Sequence, residues 1–194
     1  MLNKQEFDEI RKNMDEFDSQ REEVIKKSRE IIKLSKLLIY AIHRGNIDKA
    51  SDHVAKIKKS VKELNQTVKG KPKLVYTGSF KVAIQEYVEA ICYYEFVKNR
   101  KIPTHKELAV GAEYYLLGLC DLTGELVRKA INAGIDANYD EVIAIKELVA
   151  DIYGEFIKMD IRDGELRKKY DSIKYDLKKL EDLVLDLKIK GRVK

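Results

Sequence analysis

The sequence predicts an all-α protein, a single domain of residues 1–194 built from about six or seven long helices. Apolar residues recur at spacings of three and four through most of the chain, and no segment shows the two-residue alternation of a strand. Charged residues make up 37% of the chain, above the roughly 25% that is usual. This combination is typical of long helices with one buried face and a salt-bridged outer face.

Helix breakers and capping residues divide the chain into its elements. The first two predicted helices run from Lys4 to Arg44 and from Ile47 to about Val68. The third begins between Pro72 and Ser79 and ends at about Lys98, and the fourth runs from Lys106 to about Ala133. The fifth runs from just after Asn138 to about Met159, and the last begins after Asp163. The residues that we expect to cap them are Asn46, Thr104 paired with Glu107, Asn138 paired with Glu141, and Asp163. Each has a polar side chain that can bind the free N–H groups of a first helical turn.

The first and last helices carry heptad-like stripes. The stripe of the first helix is Phe7, Ile10, Met14, Phe17, Arg21, Val24, Ser28, Ile31, Ser35, Leu38 and Ile42. The stripe of the last helix is Leu166, Tyr170, Ile173, Leu177, Leu180, Val184 and Leu187. The stripe of the first helix has polar interruptions, whereas the strict seven-residue repetition of the last helix predicts packing along a partner, either within one subunit or between subunits.

Composition argues against several classes of protein. The longest apolar runs fall far short of the roughly 20 residues that span a bilayer, and the first residues lack the apolar segment of a signal peptide. Cys92 and Cys120 form neither a disulfide framework nor a metal-ligand spacing, so we expect a cytoplasmic protein without a membrane partner. The three histidines are predicted to lie at the surface or at helix ends: His43, His53 and His105.

Two pairs of acidic residues are the candidate site. Glu86 and Glu89 share a side of the third predicted helix, and Asp121 and Glu125 share a face of the fourth. If these two helices are antiparallel neighbours, the four carboxylates could hold Mg²⁺ or Mn²⁺, because hard cations prefer oxygen ligands. Two glycines, Gly118 and Gly124, thin the fourth helix where a backbone or ligand could approach. The alternative is that these carboxylates are ordinary solvated charges.

Basic side chains suggest where an anionic partner would bind. The formal net charge of +5 permits a polyanionic partner without requiring one. The first helix carries many basic residues, whose default interpretation is a solvated face and whose alternative is a phosphate-binding face. The nucleic-acid-binding candidates are Arg21, Lys26, Lys27, Arg29 and Arg128. Arg128 lies near the second acidic pair by helical phase, so it could either pair with those carboxylates or stabilise charge on a phosphorus centre.

Three blocks of the chain resemble the translin/Trax family. They are Gln85–Ala90, Tyr115–Leu126 and Leu166–Lys179, and they fall in the order found in that family. The resemblance covers nearly the whole chain, from the helix around Arg21 to Gly191. The acidic set is similar to that of Trax and the last block to that of translin, while the long Trax insertion between the third and fourth helices is absent.

The resemblance implies a translin-like fold and a function. Family members form hollow octamers that bind single-stranded RNA or DNA, and Trax-type chains are Mg²⁺-dependent endoribonucleases. By resemblance Glu86, Glu89, Asp121 and Glu125 match the catalytic carboxylates, with Glu89 and Glu125 the most direct metal ligands and Glu86 or Asp121 the general base. We therefore expect a homo-oligomer that binds and cleaves single-stranded RNA. A catalytically silent nucleic-acid-binding protein and a helical scaffold or adaptor are the alternatives.

Overall fold

The chain has the predicted all-α fold in a computed structural model that describes residues 2–162 and 164–193. Within these residues the helices are α1 (Lys4–His43), α2 (Ile47–Val68), α3 (Pro72–Val75), α4 (Gly78–Asn99), α5 (Ala112–Ile135), α6 (Tyr139–Ile157) and α7 (Gly164–Ile189). The described part of the chain contains no helix that is both long and apolar enough to cross a membrane.

Asparagine side chains begin two of these helices as predicted. Asn46 Oδ1 accepts from Lys49 N at 3.0 Å, and Asn138 Oδ1 accepts from Glu141 N at 3.4 Å. The reciprocal half of the second capping box is absent, because the buried Glu141 carboxylate forms ion pairs with Arg100 and Lys129 instead. The remaining predicted cap, Asp163, lies outside the described residues.

The prediction that the fourth long helix begins at Lys106 is wrong. The capping-box bonds do form: Thr104 N donates to Glu107 Oε2 at 2.7 Å, and Glu107 N donates to Thr104 Oγ1 at 3.2 Å. They close only a turn, because Ala109 adopts a φ of 54°, in the left-handed region, which a right-handed helix cannot contain. The helix α5 starts only at Ala112.

The helix α4 lies at the centre of the bundle. It packs between α1 and α5, while α2 covers α1, and α6 and α7 cover α5. Twelve of its residues are buried, so it carries apolar side chains nearly all round, as an enclosed helix must. The apolar stripe of the last helix, α7, packs within the subunit, since Ile173, Leu180 and Leu187 are buried.

The predicted antiparallel pairing of α4 and α5 is also wrong. The Phe80 and Tyr114 rings lie 5.9 Å apart, and Tyr114 Oη donates to the carbonyl of Val75 at 3.1 Å. The beginning of α5 therefore lies beside the beginning of α4, and the two helices run in the same sense. The cause is the long connection of residues 100–111, which returns the chain to the starting end before α5 begins.

The helices α4 and α5 approach each other closely at a glycine, as the sequence suggested. A Cβ placed on Gly118 would lie 2.6 Å from Val88 Cβ and 2.9 Å from the carbonyl oxygen of Gln85. Both distances are below ordinary van der Waals contact, and one of them is to backbone. Gly124 differs, because a Cβ there would meet nothing within 4 Å. Only the first of these two glycines is needed for helix packing.

The first helix extends beyond the bundle at its amino-terminal end. Phe7, Ile10 and Met14 are 47%, 44% and 63% exposed, whereas Val24 and Ile31 on the same stripe are fully buried. Phe17 is partly buried against the core, so the heptad-like stripe of α1 packs within the subunit from about residue 17 onward and is fully buried only from Val24.

Both cysteines lie inside the core, at positions on the two central helices. Cys92 on α4 and Cys120 on α5 are free and buried. Burial raises the pKa of each thiol to about 12, because the thiolate is poorly solvated there.

Gly118 and Gly124 provide a matched test of the α4–α5 contact. We expect Gly118→Ala to lower the free energy of unfolding by about 1–3 kcal/mol, because the new methyl group overpacks the interface. Gly124→Ala adds the same methyl group in open space, and we expect it to raise the free energy by about 0.5–1 kcal/mol. Chemical denaturation of the two variants checks this; equal effects would contradict the packing described at Gly118.

Candidate active site

A pocket of about 310 Å³ lies where α1, α4 and α5 meet. The residues that line it are Lys36, Ile39, Tyr40, His43, Glu86, Glu89, Glu125 and Arg128. Three of the four predicted carboxylates therefore face one space, together with three basic side chains. The fourth, Asp121, is close enough to raise the pKa values of Glu86 and Glu89 electrostatically.

The contact at Gly118 explains why the acidic residues meet. At about 100° per residue, Asp121 and Glu125 lie within about 60° and 20° of Gly118 around α5. They therefore project from the side of α5 that touches α4. Glu89 lies about 40° from Gln85 around α4, and the Gln85 carbonyl oxygen would lie only 2.9 Å from a Cβ on Gly118. The same packing that needs a glycine places both acidic pairs at one helix interface.

Asp121 is held by a lysine from the last helix. Lys169 Nζ donates to Asp121 Oδ2 at 2.6 Å and Oδ1 at 2.7 Å, and to Gln85 Oε1 at 3.3 Å. Both partners of the ion pair are about 30% exposed. Burial raises the pKa of Asp121, although the Lys169 ammonium opposes this effect. Lys169 thus joins α7, α4 and α5 at the edge of the acidic site.

Glu125 is held by a histidine from the end of the first helix. His43 Nε2 lies 2.5 Å from Glu125 Oε2, and Tyr93 Oη lies 3.3 Å from His43 Nδ1. The bond from His43 lowers the pKa of Glu125, against the opposing effect of burial. This carboxylate is therefore the one in the pocket that is most strongly held in its ionised form.

Glu86 and Glu89 have no such partner. Among the described residues, neither carboxylate forms a hydrogen bond or an ion pair with a side chain. Burial raises the pKa of Glu86, and it raises the pKa of Glu89 to about 9, with further contributions from Asp121, Glu86 and Glu125. Concentrated negative charge in a half-buried space is a property of sites that bind cations or transfer protons.

The donor chemistry of the pocket fits a hard cation, but the side chains are not grouped as a formed metal centre. Within residues 2–162 and 164–193, no three His, Cys, Asp or Glu side chains are arranged so that they could hold one metal ion. Lys169 and His43 bind oxygen atoms of Asp121 and Glu125. Glu86 and Glu89 remain available as oxygen ligands of the kind that Mg²⁺ and Mn²⁺ prefer.

The predicted nucleic-acid-binding residues do not form one cluster. Arg128 lines the pocket. Arg29 is exposed and lies about 20° around α1 from the pocket residue Lys36, roughly two helical turns away. Lys27 lies on the opposite side of that helix and is engaged by Glu23 at 2.8 Å and by Thr67 at 2.7 Å.

Arg21 and Lys26 are also exposed on α1. They lie about 60° and 80° from Lys36 in opposite directions around the helix, so they do not share a face with each other.

Sequence analysis missed three residues of the site: Lys36, His43 and Lys169. His43 was predicted to be a surface or helix-end residue; it does end α1, but its side chain is only 5% exposed. None of the three belongs to an acidic motif, and all three come from helices outside the α4–α5 pair, Lys36 and His43 from α1 and Lys169 from α7. The one available signal was that Lys36 and His43 are seven residues apart, which places them on the same face of a helix.

Glu89 provides a test of these electrostatics through the dependence of stability on pH. In the unfolded chain its carboxyl loses a proton near pH 4.5, whereas the folded protein retains it to about pH 9. Ionisation therefore opposes folding, and in EDTA we expect the stability of the wild type to fall as pH rises through this window. Glu89→Gln removes that contribution and should flatten the curve. Denaturant titrations from pH 5 to 9 check this; an unchanged slope would contradict the raised pKa.

Known proteins are similar to this chain in both sequence and fold. The model of the Translin family matches residues 19–191. An uncharacterized protein of Methanocaldococcus jannaschii is 35% identical over 158 residues, which are 79% of this chain and 70% of that protein. Translin-associated protein X of Mus musculus is 24% identical over an alignment of 226 residues, covering 95% of this chain and 78% of its own.

Solved structures superpose over nearly the whole chain. Apo-NeC3PO has a TM-score of 0.86 at 26% identity, covering 95% of this chain and 97% of its own. A complex of AfC3PO with duplex RNA has a TM-score of 0.84 at 23% identity, with the same coverage of both chains. Since the family model spans most of the sequence and the fold agrees, the chain belongs to the Translin family.

Proposed function

We propose that this protein binds RNA and cleaves it as a Mg²⁺-dependent endoribonuclease, acting as a homo-oligomer and specifically an octamer. The observation that carries this proposal is the pocket in which Glu86, Glu89 and Glu125 face the cationic side chains Lys36 and Arg128. Carboxylates there would bind a cation, while the two basic side chains would attract a phosphodiester. The family resemblance supports both the activity and the assembly.

Within the proposed site the acidic residues have different tasks. Glu89 and Glu125 would hold the Mg²⁺ or Mn²⁺ ion, with Glu86 and Asp121 beside them. A bound Mg²⁺ supplies charge stabilisation at the phosphate and lowers the pKa of a water molecule. Glu86 is the better general base, because Lys169 binds both oxygen atoms of Asp121 whereas Glu86 has no such partner among the described residues.

Basic side chains on α1 would guide the strand to the pocket. Arg29 and Lys36 lie on one face of α1, and Arg128 approaches the pocket from α5. Lys and Arg contacts to phosphates give affinity that depends on salt and little on sequence. The AfC3PO neighbour is described in complex with duplex RNA, so single-stranded and duplex RNA should be compared; we expect the single strand to be the substrate.

A catalytically silent RNA-binding or DNA-binding protein is the second candidate function. The observation that favours it is that His43 and Lys169 already bind two of the four carboxylates. Retention of RNA or single-stranded DNA without cleavage under Mg²⁺ or Mn²⁺ would support this alternative. Failure to bind any oligonucleotide at low salt would instead support a helical scaffold or adaptor.

Removal of the metal ligands tests the nuclease. We expect the double variant Glu89→Ala, Glu125→Ala to lose Mg²⁺-dependent cleavage of labelled single-stranded RNA while retaining RNA binding and the oligomeric mass. The matched control is Glu22→Ala, Glu147→Ala, which removes two exposed glutamates that do not line the pocket. Gel assays with and without Mg²⁺, together with light scattering, check this; undiminished cleavage by the first variant would rule out the site.

Two basic residues of α1 test the path of the strand. We expect Arg29→Gln to weaken binding of single-stranded RNA and to reduce the slope of log K against log salt by about 0.7, as for one lost phosphate contact. Lys27→Gln removes the same charge from the opposite side of the helix and should leave that slope unchanged. Anisotropy titrations at several salt concentrations measure both. A larger effect of Lys27→Gln would contradict this path.

A further inference from the structure

Three polar side chains from three helices form a chain of contacts that ends at the acidic pocket. Tyr93 on α4 is fully buried, and its hydroxyl lies 3.3 Å from Nδ1 of His43 at the end of α1. The His43 Nε2 atom lies 2.5 Å from Oε2 of Glu125 on α5. The Tyr93 and His43 rings are in contact, with centroids 5.2 Å apart.

The direction of the bond to Glu125 follows from the chemistry of the groups. An ionised carboxylate can only accept, so His43 Nε2 must carry the hydrogen that it shares with Glu125. Tyr93 Oη binds the other ring nitrogen and so prevents the imidazole from rotating away. His43 therefore holds Glu125 Oε2, whereas Oε1 takes no hydrogen bond among the described residues.

Burial of His43 in the core does not by itself explain why both of its ring nitrogens have partners. A histidine can be buried here without partners: His53 on α2 is 8% exposed, and neither of its ring nitrogens has a hydrogen-bond partner among the described residues. His43 instead has both nitrogens engaged, one of them by a pocket carboxylate. The bond to a pocket carboxylate thus distinguishes His43 from the other buried histidine, His53.

We propose that Tyr93 and His43 act as a hydrogen-bonded relay that positions Glu125 to bind a divalent cation through its single remaining oxygen, Oε1. This inference rests on the proposed function, because it concerns the same site. His43 is a positioning residue in this scheme, and Tyr93 orients it. Partners that orient a metal ligand in this way commonly change metal affinity by about 10-fold to 100-fold when they are removed.

Metal binding, measured without RNA, tests the relay. Calorimetric titration of the intact protein with Mn²⁺ should show affinity lowered by about 10-fold or more in His43→Leu. The variant His43→Gln retains an N–H donor and should stay within about threefold of the wild type. Tyr93→Phe removes only the hydroxyl and should give an intermediate loss. Raising the Mn²⁺ concentration should restore RNA cleavage by His43→Leu, because the relay acts on cation binding.

Two matched controls separate the relay from general effects on folding. His53→Leu makes the same change at a buried histidine that does not line the pocket, and Tyr94→Phe removes a hydroxyl that binds Lys98 on the same helix. Both should leave Mn²⁺ affinity unchanged. Thermal unfolding and light scattering of every variant show whether the fold and the assembly persist.

The possible outcomes distinguish the relay from the nuclease. Wild-type affinity in His43→Leu, or equal losses in His43→Leu and His43→Gln, would overturn the relay and leave the proposed nuclease standing. A protein that binds Mn²⁺ as expected but does not cleave RNA would overturn the nuclease alone. Absence of Mn²⁺ binding by the wild type would overturn both.

Discussion

The close contact of α4 and α5 at Gly118 is the constraint on which the rest of the site depends. A side chain at this position would meet Val88 and the backbone of Gln85, so the helices can approach only because the residue is glycine. The acidic residues project from the same sides of the two helices. Because α4 and α5 run in the same sense, the two acidic pairs lie next to each other along the interface. Helix packing and site geometry are therefore consequences of one contact.

Bringing four carboxylates together in a half-buried space costs free energy, and the protein offsets this cost for two of the carboxylates but not for the other two. Lys169 forms an ion pair with Asp121, and His43 forms a hydrogen bond with Glu125. Glu86 and Glu89 receive no comparable partner in the described chain, and burial raises the pKa of both. A divalent cation would favour their ionised forms, as an opposite charge does at short range. The acidic site thus combines two carboxylates that have protein partners, Asp121 and Glu125, with two that remain available to an external ligand, Glu86 and Glu89.

Much of the fold could be predicted from local patterns, because helix boundaries and buried stripes depend on residues close in sequence. The caps at Asn46 and Asn138 and the close approach at Gly118 are of this kind. The start of α5 could not be predicted, since the Thr104–Glu107 bonds that normally begin a helix also close an isolated turn when Ala109 is left-handed. The direction of α5 depends on how a twelve-residue connection runs through space. The acidic pairs were visible as motifs, whereas His43 and Lys169 reach the site only through tertiary packing.

The burial of Cys92 and Cys120 has a practical consequence. Thiol reagents attack the thiolate, and a thiol pKa of about 12 leaves very little of that form at neutral pH. Alkylation of either cysteine must therefore await an opening of the central helices, so labelling kinetics would report how often α4 and α5 separate. The native chain thus contains two probes of local opening in the core, Cys92 on α4 and Cys120 on α5, which are the two helices whose contact forms the acidic pocket.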